Sequence, residues 1–175
     1  MFSTILQLDV YISSFIHSQL HGSILDPFMV FITKLGDAGA LWIILCIVLI
    51  CFKKTRRAGV AALAALAVSF VLSQCVLKPL FMRARPFEVI EGIKLLILPP
   101  RGSSFPSSHT VTSFATAVTL FLVNKRFGTC AVLVASLIAL SRIYLCVHFS
   151  SDVIFGAVLG VIIGFFAYKI GGKNK

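Results

Sequence analysis

Residues 141–152 read SRIYLCVHFSSD, and the reading of this stretch decides the fold. It sets Arg142, His148 and Asp152 between two long apolar runs, where charged side chains are costly and tend to mark function. If residues 147–153 are helical, His148 and Asp152 stand four positions apart on one face, within mutual reach. Such spacing suits a histidine oriented by a carboxylate, and it suits a buried ion pair equally. Arg142 lies six residues before His148, near the end of the preceding run, from which it can return to the same place.

The flanking apolar runs are Thr129 to Val147 and Asp152 to Tyr168, and three more precede them: Ala38 to Phe52, Ala58 to Leu77 and His109 to Val123. A helix needs about 20 apolar residues to cross a bilayer, so the shorter runs must recruit neighbours such as Leu35 or Ser107. Within 175 residues, one domain's length, 58% of the chain is hydrophobic and 13% charged, which excludes an ordinary soluble domain. The expected fold is all-α, one membrane-embedded domain over residues 1–175. It is a polytopic membrane helix bundle of five or six transmembrane helices plus N-terminal interfacial helices. Residues 1–36 are interfacial or an extra span, because Asp9, His17, His21, Asp26 and Lys34 interrupt their apolar residues, and Asp26-Pro27 is the expected break between two helices. Met1 to Leu20 lacks a basic n-region and a small-residue cleavage site, so no removed leader is expected.

The formal charge of +10 raises nucleic acid as a partner, but the basic residues fall in short clusters between apolar runs rather than on one soluble face. KKTRR (Lys53 to Arg57), NKR (Asn124 to Arg126) and the tail Lys169 to Lys175 share one side, cytoplasmic by the positive-inside rule. Lys78, His109 and His148 then share the other. Cys46, Cys51, Cys75, Cys130 and Cys146 show no metal-ligand spacing and read as small buried hydrophobes. Alanines in the second run and Gly156, Gly160 and Gly164 in the last suit close helix packing, within a monomer more readily than between copies. Oligomeric state stays open.

Two further clusters meet the opening stretch on its side of the membrane. KPLFMRARP ends the second run with Lys78, Arg83, Arg85 and Pro86; taken alone, these cations can simply snorkel to the headgroups. FPSSHT begins the third run, where Pro106 and Ser107 favour a helix start whose free N–H groups face an anion near His109; an ordinary capped helix reads the same way. Together the clusters bring two histidines, several cations, serine donors and one carboxylate to one face. Cations and backbone donors fit a tetrahedral phosphate, and two histidines supply a nucleophile and a general acid. A metal is the competing reading, but one carboxylate among several cations repels a divalent ion, so catalysis without metal or other cofactor is expected.

Lys78 to Pro86 fits K-x6-RP, Pro106 to His109 resembles PSGH, and Ser141 to Asp152 fits SR-x5-H-x3-D. In this order they resemble the signature of the type-2 phosphatidic-acid phosphatase superfamily, over a core of residues 58–168. The resemblance implies His148 as the nucleophile that takes up the phosphoryl group, Asp152 as the group holding its ring, and His109 as the acid that protonates the leaving group and later activates water. It also implies that Lys78, Arg85, Arg142, Ser107 and the backbone N–H of Ser108 bind phosphate. Ser108 departs from the family's usual glycine, so activity is expected with an altered substrate fit. Arg83 lies outside the motif, facing either a substrate headgroup or the lipid phosphates. The loop Arg83 to Ser108, with an apolar middle at residues 93–98, reads as a cover over the site or as a connector resting on the membrane surface.

The implied function is a membrane phosphatase of the bacterial inner membrane, active at the extracytoplasmic face on phosphatidate, phosphatidylglycerophosphate, a polyprenyl diphosphate or the phosphate of lipid A. A phosphotransferase using the same phosphohistidine is the second reading. A lipid transporter is the third, but it calls for charges at midplane depth, whereas these gather at helix ends.

Overall fold

A computed structural model describes residues 2–172. Met1 and residues 173–175 of the basic tail lie outside that range. The described residues form helices α1 (Phe2–Gln19), α2 (Leu25–Leu35), α3 (Ala40–Cys51), α4 (Arg56–Val71), α5 (Lys78–Phe81), α6 (Pro86–Val89), α7 (Ser108–Val123), α8 (Lys125–Tyr144) and α9 (Ser150–Ala167). No strand occurs among them. Arg56–Val89, Lys125–Tyr144 and Ser150–Gly171 are each long and apolar enough to cross a membrane. Leu25–Leu35 and Asp37–Cys51 qualify jointly as a pair bent by 45°, and α7 is a shorter apolar helix.

The bundle is built around α7, which packs along α4, α8 and α9. A helix buried on most sides has no room for bulky neighbours, and its sequence and theirs are small. Val111, Ala115 and Ala117 of α7 are fully buried, as is Ala62 of α4. The threonines of α7 return their hydroxyls to their own helix, Thr112 to Ser108 O, Thr116 to Thr112 O and Thr119 to Ala115 O, so these three hydroxyls are satisfied without a partner from lipid. Gly156, Gly160 and Gly164 turn toward α7 within the same molecule. A Cβ at Gly160 would lie 2.7 Å from Val111 O, and one at Gly164 2.6 Å from Ala115 O, closer than any real side chain approaches. This backbone contact sets α9, and hence Asp152 at its start, against the start of α7.

The N-terminal segment differs from its sequence reading. Asp26 and Pro27 form the first turn of α2, and the chain breaks just ahead of them, at residues 20–24. Proline suits a first turn because its missing N–H has no helical partner there. In α1 Asp9 and Ser13 point inward and are buried, while Ile5, Leu6, Leu8, Tyr11 and Phe15 are exposed. An apolar outer face belongs against lipid, and the polar inner face serves the protein instead of water.

The loop before α7 folds onto the site. Leu95 and Ile97 pack with Phe87 on Tyr144, Leu145 and Val147, while Leu98 is 90% exposed, so the apolar middle of the loop both covers the residues preceding His148 and keeps an outward apolar edge.

Candidate active site

His148 is not on a helix. Cys146 takes a left-handed conformation (φ 53°), and α9 starts only at Ser150, so the loop turns sharply and presents His148 just ahead of the helix. The condition that residues 147–153 form one helix is not met: residues 145–149 are a turn, and Asp152, in the first turn of α9, reaches back as a cap. Its Oδ2 accepts from the Phe149 N–H at 2.9 Å and lies 3.7 Å from His148 Nδ1. Ser104 Oγ donates to the same carboxylate oxygen and stands 3.5 Å from His148 Nδ1. His148 is 2% exposed and Asp152 fully buried.

On the other edge of the ring, Arg85 Nη1 is 3.4 Å from His148 Nε2. A guanidinium only donates, so Nε2 is the lone-pair nitrogen and Nδ1 carries the proton toward Asp152 and Ser104. Burial, reinforced by Arg142 and Arg85 and opposed by Asp152, pushes the imidazole pKa down to about 3, which keeps it neutral. A neutral ring with a free Nε2 is the form able to attack phosphorus. Arg85 also binds Val147 O (2.8 Å), Gly102 O (2.9 Å), Ser103 O (3.2 Å) and Arg101 O (3.3 Å), pinning the covering loop to the His148 loop. Glu88 Oε2 accepts from the Arg85 N–H, fixing the start of α6.

α7 starts where its serines predict, with Ser107 as the cap residue. Ser107 N–H donates to Asp152 O at 3.3 Å, tying this start to α9. Ser108 Oγ is buried without a partner. His109 follows, its Nε2 3.1 Å from Asp37 Oδ1. Nδ1 is then the nitrogen left for proton exchange. A Cβ at Gly36 would lie 2.7 Å from His109 Cδ2, so the ring uses the space that glycine leaves. Arg142 is 3% exposed, its Nη1 meeting Thr33 Oγ1 and its Nε unpartnered.

Lys78 begins α5 directly after a π-helical turn, Leu72–Leu77. The extra residue per turn shifts the face that the following residue presents, a device common at functional sites. Lys78 lines a polar cavity of about 630 Å³ with Gln74, Arg83, Glu88 and Arg101. A second cavity of about 590 Å³, apolar and lined by Ile5, Leu6, Phe81, Phe105 and Phe155, meets it at Arg83. Left-handed residues other than glycine stand at three of the turns that build the region: Ala38 beside Asp37, Met82 beside Arg83, and Cys146 before His148.

Every residue expected at the site thus lies at one end of the bundle, on the starts of α5, α7 and α9, the end of α8 and the loop before α6. Thr33, Asp37, Ser104 and Asp9 belong to no motif that marks them as site residues in the sequence. Each acts through contact with a partner distant in the chain; the available signal was an aspartate inside an apolar helix, which is expensive unless it is used. His148, His109 and Asp152 do not form a group close enough to share one ion among the described residues.

An all-helical membrane bundle holding this set of side chains defines an integral-membrane phosphatase. The model of the PAP2 superfamily matches residues 58–175, and the chain belongs to that superfamily. It is 33% identical to an undecaprenyl-diphosphatase of Sulfolobus acidocaldarius over 83% of this chain and 70% of that one. The Aquifex aeolicus LpxE crystal structure is 32% identical, with a TM-score of 0.82 over 93% of this chain and 95% of that one. A PAP2-type phosphatidylglycerolphosphate phosphatase from Bacillus subtilis also superposes with a TM-score of 0.82, at 26% identity over 98% of this chain and 88% of that one.

Proposed function

We propose that the protein hydrolyses a lipid phosphate, foremost a polyprenyl diphosphate, through a phosphohistidine and without metal. One observation carries the placement of the phosphate: Ser108 Oγ and Arg142 Nε are buried polar atoms without partners. A buried donor left unpaired costs about 1–3 kcal/mol. Both residues are among those expected to bind phosphate, and a phosphate oxygen is an acceptor for both.

In the first step His148 Nε2 attacks the terminal phosphorus while the bond from phosphorus to the leaving oxygen breaks; His109 protonates that oxygen. In the second, His109 takes a proton from water, the water oxygen attacks phosphorus, and the P–N bond breaks to release phosphate. Arg85 at Nε2, Arg142 and the first-turn N–H groups of α7 neutralise the reacting phosphoryl oxygens. Lys78 and Arg101 line the adjoining cavity, where a second phosphate would find charge. The apolar cavity beside Arg83 offers the start of a lipid chain a place to lie. The undecaprenyl-diphosphatase likeness favours the diphosphate.

Phosphate release from farnesyl and undecaprenyl diphosphate, phosphatidate, phosphatidylglycerophosphate and lipid A, measured in detergent with EDTA, tests substrate class and metal independence together. Fastest turnover of a polyprenyl diphosphate is expected. Activity lost in EDTA and restored by a divalent ion contradicts the mechanism, and preference for another lipid contradicts the substrate.

The basic clusters lie at the helix ends opposite the site: residues 53–57 between α3 and α4, and residues 124–126 between α7 and α8. With those ends cytoplasmic, the site faces outward in the inner membrane. A cysteine placed at Gly92 is expected to react with an impermeant reagent in intact cells and one at the exposed Arg126 only after permeabilisation, once the native cysteines are replaced; the reverse pattern contradicts this orientation.

A further inference from the structure

Arg83 does not point at lipid. Its Nη1 meets Asp152 Oδ1 at 2.5 Å and Ser151 Oγ at 2.7 Å, its Nη2 meets Asp9 Oδ2 at 2.8 Å, and its guanidinium lies 4.4 Å above the Phe149 ring centroid. The backbone on both sides of that side chain is held as well, since the Arg83 N–H donates to Ser103 Oγ and its carbonyl accepts from the Ser104 N–H. Asp9, only 2% exposed, spends its carboxylate on this junction: Oδ1 accepts from Ser150 Oγ (2.6 Å) and the Ser151 N–H (3.0 Å), and Oδ2 accepts from Ser151 Oγ and Arg83. One carboxylate of α1 thus sits on the start of α9, where helix N–H groups favour an anion, and grips the arginine that grips the catalytic aspartate.

We propose that Asp9 and Arg83 are positioning residues for the nucleophile, so that α1, outside the residues matched by the family model, is a working part of the active site. Arg83 holds Asp152 Oδ1 and thereby turns Oδ2 toward His148 Nδ1. It also neutralises two buried carboxylates standing side by side. Without it, Asp152 takes up a proton or turns away, and His148 loses the partner that fixes its tautomer and balances positive charge on the ring during attack. Asp9 fixes the far end of the guanidinium, which gives the fork its direction. A lysine has one ammonium and cannot span both carboxylates with the same geometry. This inference rests on the reading of His148 as nucleophile.

Farnesyl diphosphate hydrolysis by the full-length protein in detergent tests it, with wild type, H148A, D9N, R83Q, R83K and the D9N/R83Q double variant compared. Wild-type turnover absent, or retained in H148A, removes the reading of the site itself and this inference with it. With that reading standing, R83Q is expected to lower kcat about 100-fold and D9N about 10-fold, with KM within about twofold of wild type and R83K recovering little. The double variant is expected to be no slower than R83Q, because both changes break one chain of contacts. A raised KM at unchanged kcat would make Arg83 a headgroup ligand and overturn the proposal, as would losses that multiply in the double variant. D9N is isosteric and keeps the test decisive if R83Q does not fold; wild-type kcat in D9N contradicts it.

Discussion

Replacing His148 with alanine is expected to lower kcat for phosphate release by about 10⁴-fold or more while the protein stays folded. The expectation follows from the ring's surroundings. Nε2 faces Arg85 and Nδ1 faces Asp152 and Ser104, so the imidazole is held by groups that select its neutral, attacking form. His109 is engaged at Nε2 by Asp37 and sits on α7, so it does not stand in. The fold has other supports: Arg85 keeps its carbonyl partners at Gly102 and Val147, and Asp152 keeps Ser104, Phe149 N–H and Arg83. Initial rates of H148A beside its thermal denaturation curve check both halves. Substantial turnover by a folded H148A removes the nucleophile assignment.

Asp152→Asn is the second large effect, and it acts through hydrogen-bond polarity. Asp152 accepts on both oxygens, from Arg83 on Oδ1 and from Ser104 and Phe149 N–H on Oδ2. An asparagine must turn its NH2 toward one of these sets. Facing Arg83, it sets donor against donor; facing Oδ2's partners, it strands the Phe149 N–H and turns a donor toward the proton on His148 Nδ1. Either way the carboxylate charge that balances the ring during attack is gone. A loss in kcat of about 10³- to 10⁴-fold is expected, since removing the carboxylate partner of a catalytic histidine has effects of that size. A stability loss of about 1–3 kcal/mol accompanies it, from the buried donor left unpaired. Measured kcat, KM and denaturation midpoints of D152N check this; near-normal kcat contradicts the role given to Asp152.

Much of the candidate site was legible in sequence because charges inside apolar runs are few and costly. Lys78, Arg85, His109, Arg142, His148 and Asp152 stood out against their surroundings for that reason, and the structure brings them to one end of the bundle. What stayed hidden depends on direction and distance. Asp9 in an apolar helix looks the same whether it faces headgroups or a protein interior, and only packing shows that it faces Ser150, Ser151 and Arg83. Arg83 stood outside the motif, with nothing in its neighbours to say that it turns inward. The left-handed Cys146 was equally hidden, since no glycine announces the turn. His148 and Asp152 stand near each other, but through a loop and a helix cap instead of a shared helical turn.

The central claim is that His148 carries the phosphoryl group. Its most direct test is to mix the protein with a polyprenyl diphosphate radiolabelled at the terminal phosphorus, quench in alkali, where a P–N bond survives, and map the label by proteolysis. Label on the peptide containing His148, labile in acid and missing in H148A, is the expected result. Label on another residue, or labelled protein in H148A, contradicts it.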